Sequence, residues 1–268
     1  MSFITKTDLS LGPQLGSQMG QYASLFSLSK KTKHNIVLFK ELFNLHRGIK
    51  IVDPFNLSCD IHSYNELNQP FEVYQIKNVL FDDDVYNIDV NKNWDLRGLF
   101  HTYVYWDEYR KELLKEFEFK SSILEKSKKY ISSIPGTKVS MHFRRTDYLQ
   151  VSSLNLTQKY YADAFSALNE KVSDFTTIVF SDDIEWCKEN VIGENIVYSE
   201  NHSNYEDMCI MSLCDHNIIA NSTFSWWGAY LNQNPDKIVI CPYDYVGTDT
   251  ENFINGNYFP KDWISIKV

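Results

Sequence analysis

The chain is short of the residues that punctuate irregular or cross-linked proteins. Of 268 residues, 10 are Gly, 7 Pro and 5 Cys. So little glycine and proline excludes a collagen-like or low-complexity chain. The cysteines, at 59, 187, 209, 214 and 241, are odd in number and form no CxxC pair. They spell neither a disulfide framework nor a zinc pattern, and a reducing compartment is the simpler setting. No run of 18 apolar residues occurs, so no membrane-spanning helix is expected. The opening MSFITKTDLS lacks the apolar stretch of a signal peptide. The Asn-x-Ser/Thr triplets at Asn56, Asn155, Asn201 and Asn221 then read as chance.

Positive charge is also scarce. Lys and Arg number 26 against 35 Asp and Glu, a net charge of −9. That excludes the broad basic surface that nucleic acid needs and a polybasic membrane anchor. One or two arginines would still suffice for a single pyrophosphate. Two phosphate-binding fingerprints are missing: no GxGxxG follows a strand and no GxxxxGK[ST] occurs. Aromatics, by contrast, are abundant, at 15% with 17 Tyr, 17 Phe and 6 Trp. With 43% hydrophobic and 23% charged residues the composition is globular. At about 150 residues per domain the length suggests two domains.

The second half is the more legible. Strands are expected at 139–143, 177–180, 196–198, 217–220 and 237–241. Helices are expected at 159–168, from Ser181 as cap to about 190, at 205–214 and at 224–232. This alternation implies βαβ units on a parallel sheet. In the first half, short strands are expected at 3–6, 36–39 and 79–81, and helices at 18–31, 108–119 and 123–134. Pro135-Gly136 is the expected boundary, giving domains 1–135 and 136–268.

In open α/β sheets chemistry sits past the carboxyl ends of the strands, and three such edges carry polar residues. Arg144-Arg145-Thr146-Asp147 follows the first strand of the second half. Paired guanidinium forks suit a diphosphate; an Arg-Asp ion pair at the sheet edge is the structural alternative. Ser181-Asp182-Asp183 could bind a base or ribose hydroxyl, or simply cap a helix. Asn221-Ser222-Thr223-Phe224-Ser225 could form an anion site at a helix N-terminus, or serve as an ordinary cap. A competing motif, Asp82-Asp83-Asp84, could hold Mg²⁺ or Mn²⁺ on a nucleotide diphosphate, or form a solvated acidic turn.

Together these blocks resemble the bacterial α-1,2-fucosyltransferases, glycosyltransferase family 11, an inverting family that also contains the blood-group H enzymes. The resemblance runs through LGSQMGQYA (15–23), LRGLFHTYVYWDEYR (96–110), HFRRTDY (142–148), YYADAF (160–165), FSDDIEWCKEN (180–190) and MCIMSLCDHNIIANSTFSWWGAYLN (208–232). Ser17 and Gly20 stand where the family has Asn and Phe, and Thr146 where it usually has Gly. The resemblance implies a GT-B-like fold of two Rossmann-like domains facing a cleft, an acceptor-side domain at 1–135 and a GDP-fucose-binding domain at 136–268. It implies no cofactor and no metal. Arg144 and Arg145 would face the diphosphate, and Ser222, Thr223 and Phe224 would wrap the phosphates. Asn221 and Ser225 flank them, and His142, Ser181, Asp182 and Asp183 would complete the donor site. The loop with Gly16, Ser17 and Gln18 would approach the fucose or the acceptor.

Inverting fucosyl transfer is an in-line displacement, with charge building on the leaving diphosphate. Fixed donors such as Arg144 and Arg145 would stabilise it. Asp147 is the first candidate for the base that takes the acceptor proton. A carboxylate flanked by guanidinium groups is a dependable acceptor but a weak base, which keeps His142 in contention, with an ordinary pKa of about 6.5. The expected acceptor is a galactose-terminated oligosaccharide or lipid-linked glycan, as in O-antigen or surface-polysaccharide synthesis. The expected setting is cytoplasmic, with peripheral contact at the inner face of the membrane and no nucleic-acid partner. The alternatives are a fucosyltransferase of another linkage and a nucleotide-sugar or glycan-binding module with weak catalysis.

Overall fold

A computed structural model describes residues 2–9, 14–44, 50–77, 81–100, 102–151, 154–243 and 258–267. The chain divides into two α/β units, Met1–Glu118 and Phe119–Val268. The sequence boundary at Pro135-Gly136 falls inside the second unit. There the helix Ser121–Ser133 ends and the first strand of that unit begins.

In unit 1 the order is β1 (Phe3–Thr5), α1 (Leu15–Thr32), β2 (Asn35–Phe39), β3 (Asp60–His62), α2 (Tyr64–Leu67), β4 (Glu72–Gln75), β5 (Trp94–Arg97) and α3 (Arg110–Glu116). The strands are all parallel, in the order β3-β2-β1-β5-β4. Helix α1 is buried almost all round, because its small residues Gly16, Gly20, Ala23, Ser24 and Ser27 let neighbours approach. It ends where Lys33 turns left-handed (φ 62°) and bonds back to Ser29 O, with Lys30 and Lys31 on the negative end of the helix dipole. Glu116 on α3 accepts from Tyr22 Oη on α1 and from the Ser58 backbone and hydroxyl, so one buried carboxylate ties three segments together.

Unit 2 contains α4 (Ser121–Ser133), β6 (Thr137–Phe143), α5 (Gln158–Asn169), β7 (Phe175–Ser181), α6 (Ile184–Asn190), β8 (Ile196–Tyr198), α7 (Asn204–Leu213), β9 (His216–Ile218), α8 (Thr223–Leu231), β10 (Val239–Pro242) and β11 (Ile264–Ile266). The parallel order is β11-β10-β9-β6-β7-β8. Counted from its own first strand this is 3-2-1-4-5-6, the order of dinucleotide-binding sheets. Val139, Met141 and Phe143 on β6 pack with Tyr160, Tyr161, Ala164 and Leu168 of α5. Ile178 and Phe180 on β7 pack on the other face with Ile210 and Met211 of α7. A buried amide network closes this second face. Asn217 Nδ2 donates to Ser140 Oγ and Met211 O, and Asn232 Nδ2 donates to Asn217 Oδ1 and Cys214 O. Gly228 is needed here, since a Cβ would come within 2.8 Å of Met211.

The strands expected in the second half all form. β3, β4, β5 and β11 carried no apolar run and were not expected. Of the strand expected at 79–81, residues 79 and 80 lie outside the described residues, and Phe81 is not in a strand. Ser181 does not cap α6: it is the last residue of β7, and Asp183 is the cap. No helix among the described residues is long and apolar enough to cross a membrane.

Candidate active site

The strand order of unit 2 reverses between the parallel neighbours β6 and β9, so the crevice past their carboxyl ends is where a ligand would sit. Arg144 to Asp147 follow β6 directly, and Asn221 and Ser222 follow β9 through Ile219 and Ala220. Tyr148 Oη bridges the two edges by donating to Asn221 O at 3.1 Å.

The two arginines part company. Arg144 lies on the His142 side, with Nη2 donating to Asp147 at 2.7 Å and Nη1 3.0 Å from Asp182 Oδ2. Arg145 turns to the Phe143 side. Its guanidinium carbon lies 3.4 Å from the Trp186 ring centroid, and its Nε donates to Asp183 Oδ2 at 3.1 Å. The two guanidinium groups therefore meet different partners in the fold, whereas the sequence reading has both facing a diphosphate. Two guanidinium charges also meet three carboxylates, so the edge is not basic on balance.

Asp182 and Asp183 divide in the same way. Asp182 accepts from the Arg145 backbone N–H, the Thr146 hydroxyl and Arg144. Burial opposes its charge, but these donors outweigh burial and lower its pKa. Thr146, a departure from the family pattern, therefore holds Asp182 in place. Asp183 caps α6 by accepting from Trp186 N, and Ser181 Oγ accepts the Asp183 N–H. Of the serine-rich edge, Ser222 caps α8 by accepting from Phe224 N. Ser225 is buried and donates to the Ala220 and Ser222 carbonyls. The Phe224 ring lies 5.7 Å from the His142 ring, and Thr223 opens α8.

Two buried polar atoms at this crevice find no partner among the described residues: His142 Nδ1 and Asn221 Oδ1. A native fold seldom leaves such atoms unpaired unless a ligand or water meets them. Burial, with the Arg144 charge, lowers the His142 pKa to about 3 against the opposing pull of Asp182. The imidazole is neutral near pH 7, suited to a fixed hydrogen bond and poorly suited to taking a proton.

Three residues of the sequence reading lie elsewhere. Gly16, Ser17 and Gln18 form the first turn of α1, not a loop. Gln18 is buried, and its Oε1 accepts the Ile51 N–H at 3.0 Å, so its amide oxygen holds the core of unit 1. The competing acidic motif is also occupied internally: Asp82 accepts from Tyr74 Oη and Lys77 N, and Asp84 pairs with Lys77. No group of three or more His, Cys, Asp or Glu among the described residues could hold a metal ion.

Sequence reasoning passed over the edge after β8. Ser199 Oγ donates to Asp207 at 2.6 Å and lies 3.0 Å from His202 Nδ1, and Tyr130 meets the His202 ring edge-on at 4.5 Å. Burial raises the Asp207 pKa to about 6. The strand-end position of Ser199 was the available signal.

Comparison with known proteins adds the following. The model of glycosyl transferase family 11 matches residues 2–267. The chain is 29% identical to an α-1,2-colitosyltransferase of Escherichia coli over 94% of this chain and 96% of that one. It is 30% identical to the O-antigen biosynthesis glycosyltransferase WbnK of Escherichia coli, over 85% and 91%. It is 25% identical to galactoside α-(1,2)-fucosyltransferase 2 of Mus musculus, over 86% and 69%. Among solved structures, POFUT1 in complex with GDP matches with a TM-score of 0.58 at 13% identity, over 90% of this chain and 98% of that one. Fucosyltransferase NodZ from Bradyrhizobium matches with a TM-score of 0.57 at 10% identity, over 85% and 91%. These likenesses show a GT-B-like fold.

Proposed function

The chain belongs to glycosyl transferase family 11, and from that premise we propose that it moves L-fucose from GDP-fucose to the 2-hydroxyl of a galactose-terminated glycan, with inversion, in building O-antigen or a related surface polysaccharide. The observation that carries the reading is the crevice between β6 and β9. There the Arg144 fork stands beside two buried polar atoms, His142 Nδ1 and Asn221 Oδ1, that find no partner among the described residues.

In this reading the acceptor oxygen attacks the anomeric carbon as the bond to the diphosphate breaks, and GDP leaves. Arg144 turns from Asp147 toward the diphosphate and offsets the growing charge. The N-terminus of α8, at Ser222 and Thr223, adds backbone donors from the other edge. No metal ion is part of the proposal. Asp147, with its side chain 46% exposed, is the base that takes the acceptor proton; the lowered pKa of His142 argues against that role for the imidazole. Asp182 and His142 meet the nucleoside. The reaction takes place in the cytoplasm, on a glycan presented at the inner face of the membrane.

Transfer from GDP-fucose to a β-galactoside in EDTA, with linkage analysis of the product, tests this reading. A 1,2-linked fucoside formed at an undiminished rate supports it. Loss of activity restored by Mn²⁺ would count for Asp82–Asp84, and binding without turnover for a glycan-binding module. Asp147→Asn should keep GDP binding and abolish transfer. Surviving transfer, together with a dead His142→Ala, would reverse the assignment of the base. The likeness to a colitosyltransferase favours a second donor, so a colitosyl donor belongs in the same assay.

A further inference from the structure

Unit 1 carries a cavity of about 330 Å³ that no sequence motif signalled. Its lining runs from the carboxyl end of β2 to the amino end of β4: Phe39 ends β2, Tyr64 opens α2 just past β3, and the chain through Leu67, Asn68 and Gln69 leads to Phe71, directly before β4.

The lining is held in place from several sides. The Tyr64 ring stacks on Phe39 with centroids 4.1 Å apart and planes 21° apart. Phe71 stands 6.3 Å from Phe39 and 6.4 Å from Phe3. Helix α2 has only four residues but is closed at both ends, by a Ser63–Glu66 capping box and by Asn68 in the left-handed conformation (φ 38°). Glu41 accepts the Tyr64 N–H, and Lys40 pairs with Glu66. Phe39 is buried, while Tyr64 is 39% exposed. A rigid aromatic face is thus supported from beneath and left partly open to solvent.

The chemistry of the rim narrows the ligand. Asn68 and Gln69 are exposed, and neither side-chain amide makes a hydrogen bond among the described residues. Each amide offers two donors and one acceptor oxygen. Among the described residues no charged side chain lines the cavity, so a phosphate or nucleotide finds no counter-charge from them. Aromatic faces with neutral amides at the rim suit a neutral polyhydroxylated ring, its C–H face on the tyrosine and its hydroxyls on the amides. The volume is at the small end of ligand pockets, which begin at about 300 Å³. Among the described residues the lining also holds no carboxylate or imidazole that could take a proton from a reacting hydroxyl.

We propose that this cavity is a subsite for a non-reacting pyranose unit of the acceptor glycan, with Tyr64 as its stacking face and Asn68 and Gln69 as its hydroxyl contacts. The proposal rests on the glycan-acceptor part of the function proposed above.

The test uses the full chain and a panel of neutral β-galactosyl glycans, from methyl β-galactoside to lacto-N-neotetraose. Binding is read by saturation-transfer NMR, and KM and kcat are measured with GDP-fucose. Tyr64→Ala should weaken tetrasaccharide binding and raise its KM at least tenfold, with kcat changed less than threefold and the methyl galactoside KM unmoved. Tyr64→Phe should retain most of the affinity. Asn68→Gly with Gln69→Ala keeps the left-handed turn and removes the rim, and should raise the tetrasaccharide KM severalfold even if Tyr64→Ala misfolds. Equal losses for short and long glycans, unchanged binding in both variants, no binding of the panel by the wild type, or farnesyl phosphate taking the cavity in place of sugar would each overturn the subsite. Hydrolysis of GDP-fucose by the wild type without acceptor reports the donor reading separately. If hydrolysis and transfer are both absent but NMR binding is lost in Tyr64→Ala, the function fails while the subsite stands.

Discussion

In both parallel sheets the strand order reverses beside the first strand, between β1 and β5 in unit 1 and between β6 and β9 in unit 2. The two crevices are filled differently. In unit 1 the residue after β1 is Lys6, fully buried, whose ammonium donates to Asp8 and to the Leu96 and Gly98 carbonyls at the end of β5. Asp8 Oδ2 in turn accepts the Gly98 N–H. Gly98 is at φ 108°, and a Cβ there would come within 2.1 Å of Ile76, so only glycine lets the strand end meet this lysine. Asp95 accepts from Thr7 and Arg97. The charges of this crevice thus find partners within the chain, and among the described residues the Thr5 hydroxyl finds none. Unit 2 places an arginine with a part-exposed carboxylate partner at the equivalent point, and there an imidazole nitrogen and an amide oxygen find no partner among the described residues. The same topology can serve as an internal lock or as a binding edge, and the side chain that follows the first strand decides which.

Lys6→Met is the most direct way to break that contrast. Removing the ammonium takes a buried donor from the Leu96 and Gly98 carbonyls and leaves Asp8, 23% exposed, with the Gly98 N–H alone. Losing one partner of a fully buried ion pair costs about 3–5 kcal/mol; Asp8 is 23% exposed, so a smaller but clear fall in unfolding free energy is expected in denaturant titration. GDP affinity of the folded fraction should be unchanged. A stable Lys6→Met protein with weakened GDP binding would mean that unit 1's crevice also serves the donor. Arg144→Ala should do the reverse. Transfer should fall by roughly two orders of magnitude, the typical effect of losing one donor to a developing anion, with the melting temperature nearly unmoved. Near-normal kinetics would remove Arg144 from the diphosphate.

The difference between the units also explains what the sequence made legible. The strands of unit 2 were readable because both faces are covered: Ile178–Phe180 is a continuous apolar run, and Val139, Met141 and Phe143 alternate with the buried Ser140 and His142. β3 and β4 are largely exposed, and β5 alternates over only four residues, Trp-Asp-Leu-Arg, with its buried Asp95 committed to Thr7 and Arg97, so no apolar run marks any of them. The positions of Arg144, Asp182 and Asn221 at strand ends followed from the βαβ pattern. Side-chain direction did not. Nothing in the pair Arg144-Arg145 says that the second stacks on Trp186, and Gln18 inside a motif does not reveal that its amide faces the core. Tyr64 and Phe71 were two aromatics among many, and only tertiary packing makes them walls of one cavity.

A smaller effect separates the two edges by pH. His142 is neutral in the fold, with its pKa lowered to about 3, but takes a proton below about 6.5 when unfolded. The unfolded chain therefore binds the extra proton first, and stability is lost as pH falls from about 6.5 toward 3. By pH 5 the loss is about 2 kcal/mol, and His142→Phe should not show it. Asp207, raised to about 6, acts in the opposite sense, contributing stability at low pH that fades as pH rises through 6. The comparison of His142→Phe with wild type isolates the imidazole. A wild-type profile that coincides with that of the variant between pH 7 and 5 would show that the histidine is not held neutral.

The finest test lies within unit 2, between its two arginines. Arg145→Lys keeps the charge but loses the planar face that lies on Trp186, a contact worth about 0.5–1 kcal/mol where exposed and about 2 where desolvated. If Arg145 braces the edge through Trp186 and Asp183, this variant should lose about 1 kcal/mol of stability and less than threefold in rate at saturating donor. A rate loss close to that of Arg144→Ala, with stability unchanged, would mean that the guanidinium leaves Trp186 when the diphosphate arrives and that both arginines meet it. The kcat and the melting curve of the same preparation decide the matter, because a brace changes mainly the melting curve and a phosphate ligand mainly the rate.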